Sequence, residues 1–347
     1  MSSTPMRVLV TAQAFAVSGM AYREKLGKLG CHVEDSSSWG PLGLDSLIEQ
    51  ANQCDAIIAA IDPYCHEAFE ALPRLKLIAR CGIGIDSVDL GSATEHGILV
   101  TNVPDAMTDA VADYCMGLML SSARHIHVGY VCMKSGGWAE FPGVELRGKT
   151  LGLIGFGRIG QAVASRAIGF GLKIIVHDPW MHSAMAAGKP SSLAESLQGR
   201  IQWTEFSELL ENSDFVSIHA PNTPQTRRMM NRQAFAKMRK SAYLINTARG
   251  ALVDTEALIQ ALHEGQIAGA ATDVFQQEPL PADHPLRSTP NLLLTPHNAF
   301  NSHEAAVRMS LGCYEPIVDI LEGRTPKSIC NPDVLQSPKL RVKQWTL

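Results

Sequence analysis

The stretch KTLGLIGFGRIGQAVASRAIG, residues 149–169, decides the fold of this chain. An apolar run at 151–154 precedes three glycines, and an apolar helical pattern follows them. In such a strand, turn and helix, the glycines allow a tight turn, close approach of a diphosphate, and close packing of helix on strand. We therefore predict a dinucleotide fingerprint with the diphosphate at the helix N-terminus. The predicted contacts are Gly155, Gly157, Arg158, Ile159 and Gly160.

The acidic residue expected about 20 residues past a fingerprint is Asp178, which ends the next apolar run, LKIIVHD. Its carboxylate can accept a hydrogen bond from the adenosine ribose 2′-hydroxyl but would repel a 2′-phosphate. The neighbouring residues His177, Pro179, Trp180 and Met181 include no Arg or Lys. We therefore expect NAD rather than NADP, with a solvated turn aspartate before Pro179 as the alternative interpretation.

Short apolar runs alternate with helical patterns on both sides of the fingerprint, which predicts an α/β fold with parallel sheets. Ahead of residue 104 the runs lie at 7–10, 56–60, 77–79 and 99–101. From the fingerprint onward they lie at 151–154, 174–176, 215–219, 243–246, 269–272 and 292–294. This organisation predicts two doubly wound parallel-sheet domains, the second with about six strands and the size of a complete dinucleotide-binding domain.

Three other segments have distinctive patterns. The segment Thr108 to Ala123 is apolar nearly all round, so we expect a helix buried between domains or subunits. The segment His303 to Gly323 is helical in pattern, but Pro316 should end or kink it. Residues 331–347 have the pattern of a tail, and residues 336–347, which contain basic residues and no acid, are expected to be a solvated extension, with a subunit contact as the alternative.

Composition excludes several classes of protein. A length of 347 residues predicts about two domains, and 46% hydrophobic residues exclude intrinsic disorder. The net charge of -4 leaves no cationic field for nucleic acid or for an anionic membrane. Eight scattered cysteines show no metal-ligand spacing, so we expect reduced thiols and no metal. Without a secretory signal or a membrane span, a cytoplasmic protein is expected.

Candidate catalytic side chains follow three late apolar runs. They are Arg249 in INTARG, Glu278 in TDVFQQEPL and His297 in LTPHNAF. Each alone is compatible with an ordinary surface or loop residue. Together they supply an arginine for a carboxylate, a titratable histidine and an acid to tune it, at the strand ends where open parallel sheets bind ligands.

From about Arg7 to Pro332 the chain resembles the D-isomer-specific 2-hydroxyacid dehydrogenase family. The resemblance rests on motifs that occur in order along the chain. Besides the fingerprint they are RCGIGID (80–86) with Val88-Asp89, NVP (102–104), VAD (111–113), LRGK (146–149), NTARG (246–250), DVF (273–275) with Glu278-Pro279, and TPH (295–297).

The resemblance implies a flavodoxin-like substrate domain, residues 1–104 with 296–347, and a Rossmann NAD-binding domain, residues 105–295. It implies that Arg249, Glu278 and His297 form the catalytic trio. It implies that Ile83 and Gly84 present backbone N–H groups to the substrate carboxylate, that Asp273 contacts the nicotinamide end, and that a homodimer forms through residues 108–147. Further residues implied to line the cofactor site are Thr108, Ala220, Pro221, Thr247 and Ala248.

The expected reaction is hydride transfer between NAD and a small D-2-hydroxy or 2-oxo acid. Arg249 would hold the carboxylate and carbonyl, because a planar guanidinium can grip two oxygens. His297 would be the acid in reduction and the base in oxidation, tuned by Glu278. Phe300 would form an apolar wall beside the substrate C3 group, with ordinary core packing as the alternative.

Two other functions remain open from the sequence. One is a non-enzymatic NAD(H)-sensing binding protein of the C-terminal-binding-protein type, against which the complete trio argues. The other is a phosphite dehydrogenase-like enzyme, which shares the trio. Formate enzymes pair the histidine with Gln, so Glu278 disfavours that activity.

Overall fold

The computed structural model describes residues 5–186, 197 and 199–344. Contacts divide the chain into a first unit, Met1–Met107 with Asn301–Leu347, and a second unit, Thr108–Phe300. These boundaries differ from the expected ones at 104/105 and 295/296. His297 therefore lies in the second unit, where its N–H donates to the Asp273 carbonyl over 2.7 Å.

The first unit contains a five-stranded parallel sheet in the described part of the chain, in the order β2-β1-β3-β4-β5. This is the flavodoxin-like order. Its strands are β1 Arg7–Val10, β2 His32–Asp35, β3 Ala56–Ala59, β4 Leu77–Arg80 and β5 Leu99–Thr101. Its helices are α1 Gln13–Ser18, α2 Met20–Lys28, α3 Leu44–Ala51, α4 His66–Ala71, α5 Leu90–Glu95 and, after the second unit, α13 His303–Leu321.

The second unit contains a parallel sheet of seven strands among the described residues, in the order β12-β11-β10-β9-β6-β7-β8. The strand order reverses between β6 and β9, as in dinucleotide-binding folds. Its strands are β6 Thr150–Ile154, β7 Lys173–His177, β8 Ile201–Trp203, β9 Phe215–Ile218, β10 Tyr243–Asn246, β11 Gly269–Thr272 and β12 Leu292–Leu294. Its helices are α6 Thr108–Ala123, α7 Ile126–Lys134, α8 Arg158–Gly169, α9 Pro179–Ala186, α10 Phe206–Asn212, α11 Arg232–Lys237 and α12 Thr255–His263.

Both faces of the larger sheet are buried. Because side chains alternate along a strand, Phe215 packs into a core with α6 and α8, whereas Val216 packs into a second core on the opposite face. The continuous apolar strands predicted a sheet covered on both sides, and the two cores confirm it.

The sequence missed two strands, β2 (HVED) and β8 (IQW). Both lie at the edge of their sheets, and neither contains a fully buried residue. Edge strands need no apolar run, because one side has no neighbouring strand and part of the surface stays solvated.

Helix α6 covers the predicted residues, but its buried face packs on α8 and on β10 and β11 of the same unit. Its apolar composition is therefore explained in large part without a second subunit. Helix α13 runs through Pro316, so the expected end of the helix there is wrong. None of the helices among the described residues combines the length and apolarity that crossing a bilayer requires.

The expectation of a solvated C-terminal tail is also wrong for the residues described. Asn331 is buried and accepts a hydrogen bond from Val100 N–H over 3.0 Å, and Val334 is fully buried. Further along, Arg341 donates to the carbonyl oxygens of Leu72 and Leu75 over 2.9 and 2.8 Å. The segment therefore closes one side of the first unit.

We predict that Asn331→Ala lowers the free energy of unfolding by about 1 to 3 kcal/mol, because it leaves the Val100 N–H and the Ile98 carbonyl without their side-chain partner. Urea denaturation of the whole protein measures the change. Asp333→Ala, an exposed change in the same segment, is the control and should alter stability little. Equal stability of Asn331→Ala and wild type would show that the segment is not anchored through this residue.

Candidate active site

The predicted site residues of the second unit lie along one edge of its sheet. Each follows the carboxyl end of a parallel strand, and these ends all meet at the same edge. In spatial order they are His297 after β12, Asp273 after β11, Thr247 to Arg249 after β10, Ala220 and Pro221 after β9, the fingerprint glycines after β6, and Asp178 after β7.

The fingerprint glycines have three different surroundings. Gly155 has φ +93°, and a Cβ there would lie 2.6 Å from the carbonyl carbon of His219. A Cβ at Gly160 would lie 2.4 Å from the Gly155 oxygen, whereas a Cβ at Gly157 would meet nothing within 4 Å. The first and third glycines thus permit tight packing, and the second leaves open space at the start of α8. This cradle fits a diphosphate.

Asp178 lies beside this cradle. Its carboxylate accepts one hydrogen bond from Phe156 N–H and another from Met181 N–H, both over 2.8 Å. The first bond fixes the acid against the fingerprint turn, and the second caps the start of α9. Lone pairs of the carboxylate remain for a ribose hydroxyl.

Two predicted cofactor residues carry unsatisfied polar atoms. Among the described residues, the hydroxyl oxygens of Thr108 and Thr247 are buried and have no hydrogen-bond partner. Buried hydroxyls are normally paired, so these two can take a hydrogen bond from a ligand or from water. Together with the open space at Gly157, these hydroxyls fit a bound dinucleotide.

Close backbone packing holds Arg249 at the carboxyl edge of the sheet. A Cβ at the next residue, Gly250, would lie 2.0 Å from the carbonyl carbon of Phe275. Only glycine therefore lets the loop after β10 lie against the loop that leads to Glu278. Arg249 Nη1 donates to the Ala248 carbonyl over 2.6 Å, which directs part of the guanidinium back to its own loop.

His297 and Glu278 form a close pair. His297 Nδ1 lies 2.6 Å from Glu278 Oε2, and Glu278 Oε1 accepts a hydrogen bond from Phe275 N–H over 2.8 Å. The side chains are 39% and 26% exposed, so the pair is half-buried while the histidine still reaches solvent. Both oxygens of the acid are thereby engaged.

The pKa of Glu278 lies below its ordinary value. Burial raises it, but the hydrogen bonds from His297 and from Phe275 N–H outweigh burial. The nearby charges of His297 and Arg249 lower the pKa further. Glu278 is therefore a carboxylate at neutral pH, and Nδ1 of His297 must be the donor in the pair.

Asp273 holds the loop of His297. Its carboxylate is fully buried and accepts hydrogen bonds from the Thr295 hydroxyl over 2.6 Å, Asn298 N–H over 2.9 Å and Ala299 N–H over 2.8 Å. These bonds support the backbone where His297 adopts φ +50°, a left-handed conformation that is rare outside glycine. The sequence did not reveal this positioning role, and contact of Asp273 with the nicotinamide end stays a prediction.

Phe300 lies next to His297 in the second unit. Its ring meets that of His297 edge-on, with centroids 6.1 Å apart. The pairing places an aromatic surface beside the group expected to transfer the proton.

Ile83 and Gly84 lie in the first unit. Their N–H groups make no hydrogen bond within the described part of the chain, whereas the Ile83 carbonyl accepts from Asn102 Nδ2 over 2.8 Å. Asn102, which the sequence marked only as part of a motif, therefore holds the loop while leaving two donors available.

Comparisons with known proteins identify relatives of this chain. The family model described as D-isomer specific 2-hydroxyacid dehydrogenase, NAD binding domain, matches residues 116–299. A glyoxylate reductase of Thermofilum pendens is 40% identical over 311 residues, 88% of this chain and 89% of that protein. A hydroxypyruvate reductase of Thermotoga maritima is 42% identical over 279 residues, 79% and 87% of the respective chains.

Among solved structures, the TT0316 protein from Thermus thermophilus matches with a TM-score of 0.81 at 37% identity. The match covers 94% of this chain and 100% of that chain. The chain belongs to the D-isomer-specific 2-hydroxyacid dehydrogenase family. It is an NAD-dependent oxidoreductase, as its sequence predicted.

One histidine at this edge yields a pH prediction. Burial lowers the pKa of His219 from 6.5 to about 4. Between these values the unfolded chain binds a proton that the folded chain does not, so the free energy of unfolding falls as pH falls from 6.5 to 4. We predict that His219→Gln reduces this loss by up to about 3 kcal/mol.

Urea denaturation at pH 7, 5.5 and 4.5 measures the effect. The control is His263→Gln, at an exposed position in the last turn of α12, which should not reproduce this effect. Parallel pH curves for wild type and His219→Gln would mean that His219 is protonated as readily in the folded chain as in the unfolded one.

Proposed function

We propose that the protein reduces a small 2-oxo acid to the D-2-hydroxy acid with NADH, and that Arg249, Glu278 and His297 carry the reaction. The observation that carries the proposal is the 2.6 Å contact between His297 Nδ1 and Glu278 Oε2. It leaves His297 Nε2 as the ring nitrogen that faces a substrate. A titratable nitrogen so oriented is what acid–base chemistry on a hydroxyl or carbonyl requires.

The substrate carboxylate is recognised by positive charge and by backbone donors. Arg249 is positioned by Gly250 beside the Glu278 loop and offers a planar guanidinium to the carboxylate and the carbonyl oxygen. We propose that the N–H groups of Ile83 and Gly84 in the first unit, which make no hydrogen bond within the described part of the chain, are donors for a carboxylate. Such fixed donors orient the carbonyl for attack.

The proposed proton transfer follows from the hydrogen bond between His297 and Glu278. Bound NADH supplies the hydride to the substrate carbon. His297 donates its Nε2 proton to the carbonyl oxygen as negative charge develops there, and Glu278 stabilises the imidazolium through the Nδ1 hydrogen bond. In the reverse direction neutral His297 accepts the hydroxyl proton at Nε2.

The substrate class rests on similarity and on Phe300. The two relatives are named for glyoxylate and hydroxypyruvate, both short 2-oxo acids. The Phe300 ring beside His297 forms an apolar wall at the place of the substrate C3 group, which glyoxylate lacks and which is small in hydroxypyruvate. We propose that glyoxylate and hydroxypyruvate are better substrates than larger 2-oxo acids.

The test is NADH oxidation, followed by the loss of nicotinamide absorbance, with glyoxylate, hydroxypyruvate, pyruvate, phosphohydroxypyruvate and a branched 2-oxo acid, each repeated with NADPH. We expect the highest kcat/KM with glyoxylate or hydroxypyruvate, and weaker activity with NADPH because Asp178 repels a 2′-phosphate. If no acid supports NADH oxidation although NADH still binds, the result would favour the NAD(H)-sensing protein. Activity with phosphite alone would favour the phosphite enzyme.

His297→Asn tests the trio. Asparagine tolerates the left-handed φ of this position but cannot transfer the proton, so kcat should fall by about 10²- to 10⁴-fold. His303→Asn, an exposed change in α13, is the control. Near-normal kcat in His297→Asn would remove this residue from the chemistry.

We propose in addition that the protein is a homodimer through residues 108–147. Helix α7 contains no buried residue, and the side chains of Tyr130, Val131 and Trp138 are 65%, 63% and 87% exposed. An apolar surface of this kind on one helix and the loop after it favours contact with another protein surface. A second copy of the chain supplies the same surface, as a two-fold interface requires.

Light scattering coupled to gel filtration tests the dimer. Wild type should elute at twice the chain mass of 37.6 kDa, and Val131→Asp with Trp138→Ser should shift it to the monomer mass. Val17→Asp, at a 72% exposed position of the first unit, is the control and should not change the mass. A monomeric wild type would contradict the proposal.

A further inference from the structure

A line of three polar side chains runs beneath the fingerprint without touching the catalytic trio. Cys115 of α6 lies with Sγ 3.2 Å from Ser217 Oγ of β9, and Ser217 Oγ lies 2.9 Å from His219 Nε2. Cys115 and Ser217 have no exposed surface, and His219 is half-buried. We call Cys115, Ser217 and His219 the polar chain.

The polar chain is uncharged and internally paired. Burial raises the pKa of the Cys115 thiol to about 11, although its bond to Ser217 opposes the rise. Burial lowers the pKa of His219 to about 4. At neutral pH the polar chain thus consists of a thiol, a hydroxyl and a neutral imidazole. Their hydrogen bonds can all point in the same direction along the polar chain.

The polar chain ends at His219, directly beneath the fingerprint turn. A Cβ at Gly155 would lie 2.6 Å from the His219 carbonyl carbon and 2.7 Å from Ala220 N, so this peptide group is the surface on which the turn rests. The His219 N–H donates to the Ile154 carbonyl over 2.7 Å. A shift of His219 would therefore move Gly155, and with it the open backbone at Gly157.

The other end of the polar chain is Cys115, which lies on α6. This helix begins with Thr108, whose buried hydroxyl has no hydrogen-bond partner among the described residues. Apolar side chains would fill this part of the core without the requirement that every polar atom find a partner. A paired polar line instead fixes one relative position of α6, β9 and the turn.

We propose that His219 is a positioning residue for NAD(H), held by Ser217 and Cys115 so that the fingerprint turn is fixed in its binding position before the dinucleotide arrives. The proposal depends on NAD(H) binding by the second unit but not on the identity of the oxo acid. His219 takes no part in proton transfer to the substrate.

The experiment measures the Kd of NADH by fluorescence titration without substrate, together with kcat at saturating NADH and the thermal midpoint. His219→Leu should raise the Kd about tenfold, because it removes the hydrogen-bond partner of a buried hydroxyl, and should leave kcat within about twofold. His219→Gln, whose amide can still reach Ser217, should restore most of the affinity.

Cys115 supplies a milder and independent test. Cys115→Ala should weaken NADH binding, whereas Cys115→Ser, which keeps a donor at the same place, should bind as wild type does. If the residues act as one chain, the double variant Cys115→Ala with His219→Leu should bind no more weakly than His219→Leu alone. Cys54→Ala, a buried cysteine of the first unit, is the control.

Three results would overturn the proposal. One is an unchanged Kd in His219→Leu and Cys115→Ala with a lowered thermal midpoint, which is the effect of a purely structural residue. Another is a fall in kcat with unchanged Kd. The third is additive loss of affinity in the double variant. Because the titration contains no oxo acid, failure of the proposed substrate would not affect it.

Discussion

The buried carboxylate of Asp273 fixes the loop on which His297 lies. It has no exposed surface and accepts bonds from two backbone N–H groups and from the Thr295 hydroxyl. A buried carboxylate without such partners would be strongly unfavourable, so loop and acid constrain each other. The left-handed backbone of His297 is retained under this constraint, and its ring meets Glu278 as a result.

In the proposed reaction the polar groups at this sheet edge serve two different tasks. Asp273 and the chain of Cys115, Ser217 and His219 are largely buried and paired within the protein, so they set positions. The pair of Glu278 and His297 is half-exposed and carries charge that can change during a reaction. Separation of fixed from titrating groups is how a site keeps its geometry while a proton moves.

Much of the fold and the family could be predicted from the sequence. The interior strands were predicted because their apolar runs are covered on both faces, as Phe215 and Val216 illustrate. The fingerprint and the order of the motifs indicated the family, which the comparisons confirm. The strands HVED and IQW were missed because edge strands stay half-solvated and carry no apolar run.

What the sequence could not supply are contacts between residues far apart along the chain. Asn331 bonds to Val100, 231 positions away, and so the tail lacked any local sign of burial. The bond between Cys115 and Ser217 spans 102 positions. Nothing local in the sequence marked Gly250 either, because the requirement for glycine comes from the distant Phe275 backbone, which leaves no room for a side chain.

We propose that Glu278, as a carboxylate, holds the proton of His297 on Nδ1 and leaves Nε2 for the substrate. Nuclear magnetic resonance of protein labelled with ¹⁵N-histidine tests it directly, with His297→Asn assigning the signal. We expect a strongly downfield Nδ1 proton that disappears in Glu278→Gln. A neutral His297 protonated at Nε2, with Nδ1 unprotonated beside Glu278, would contradict it.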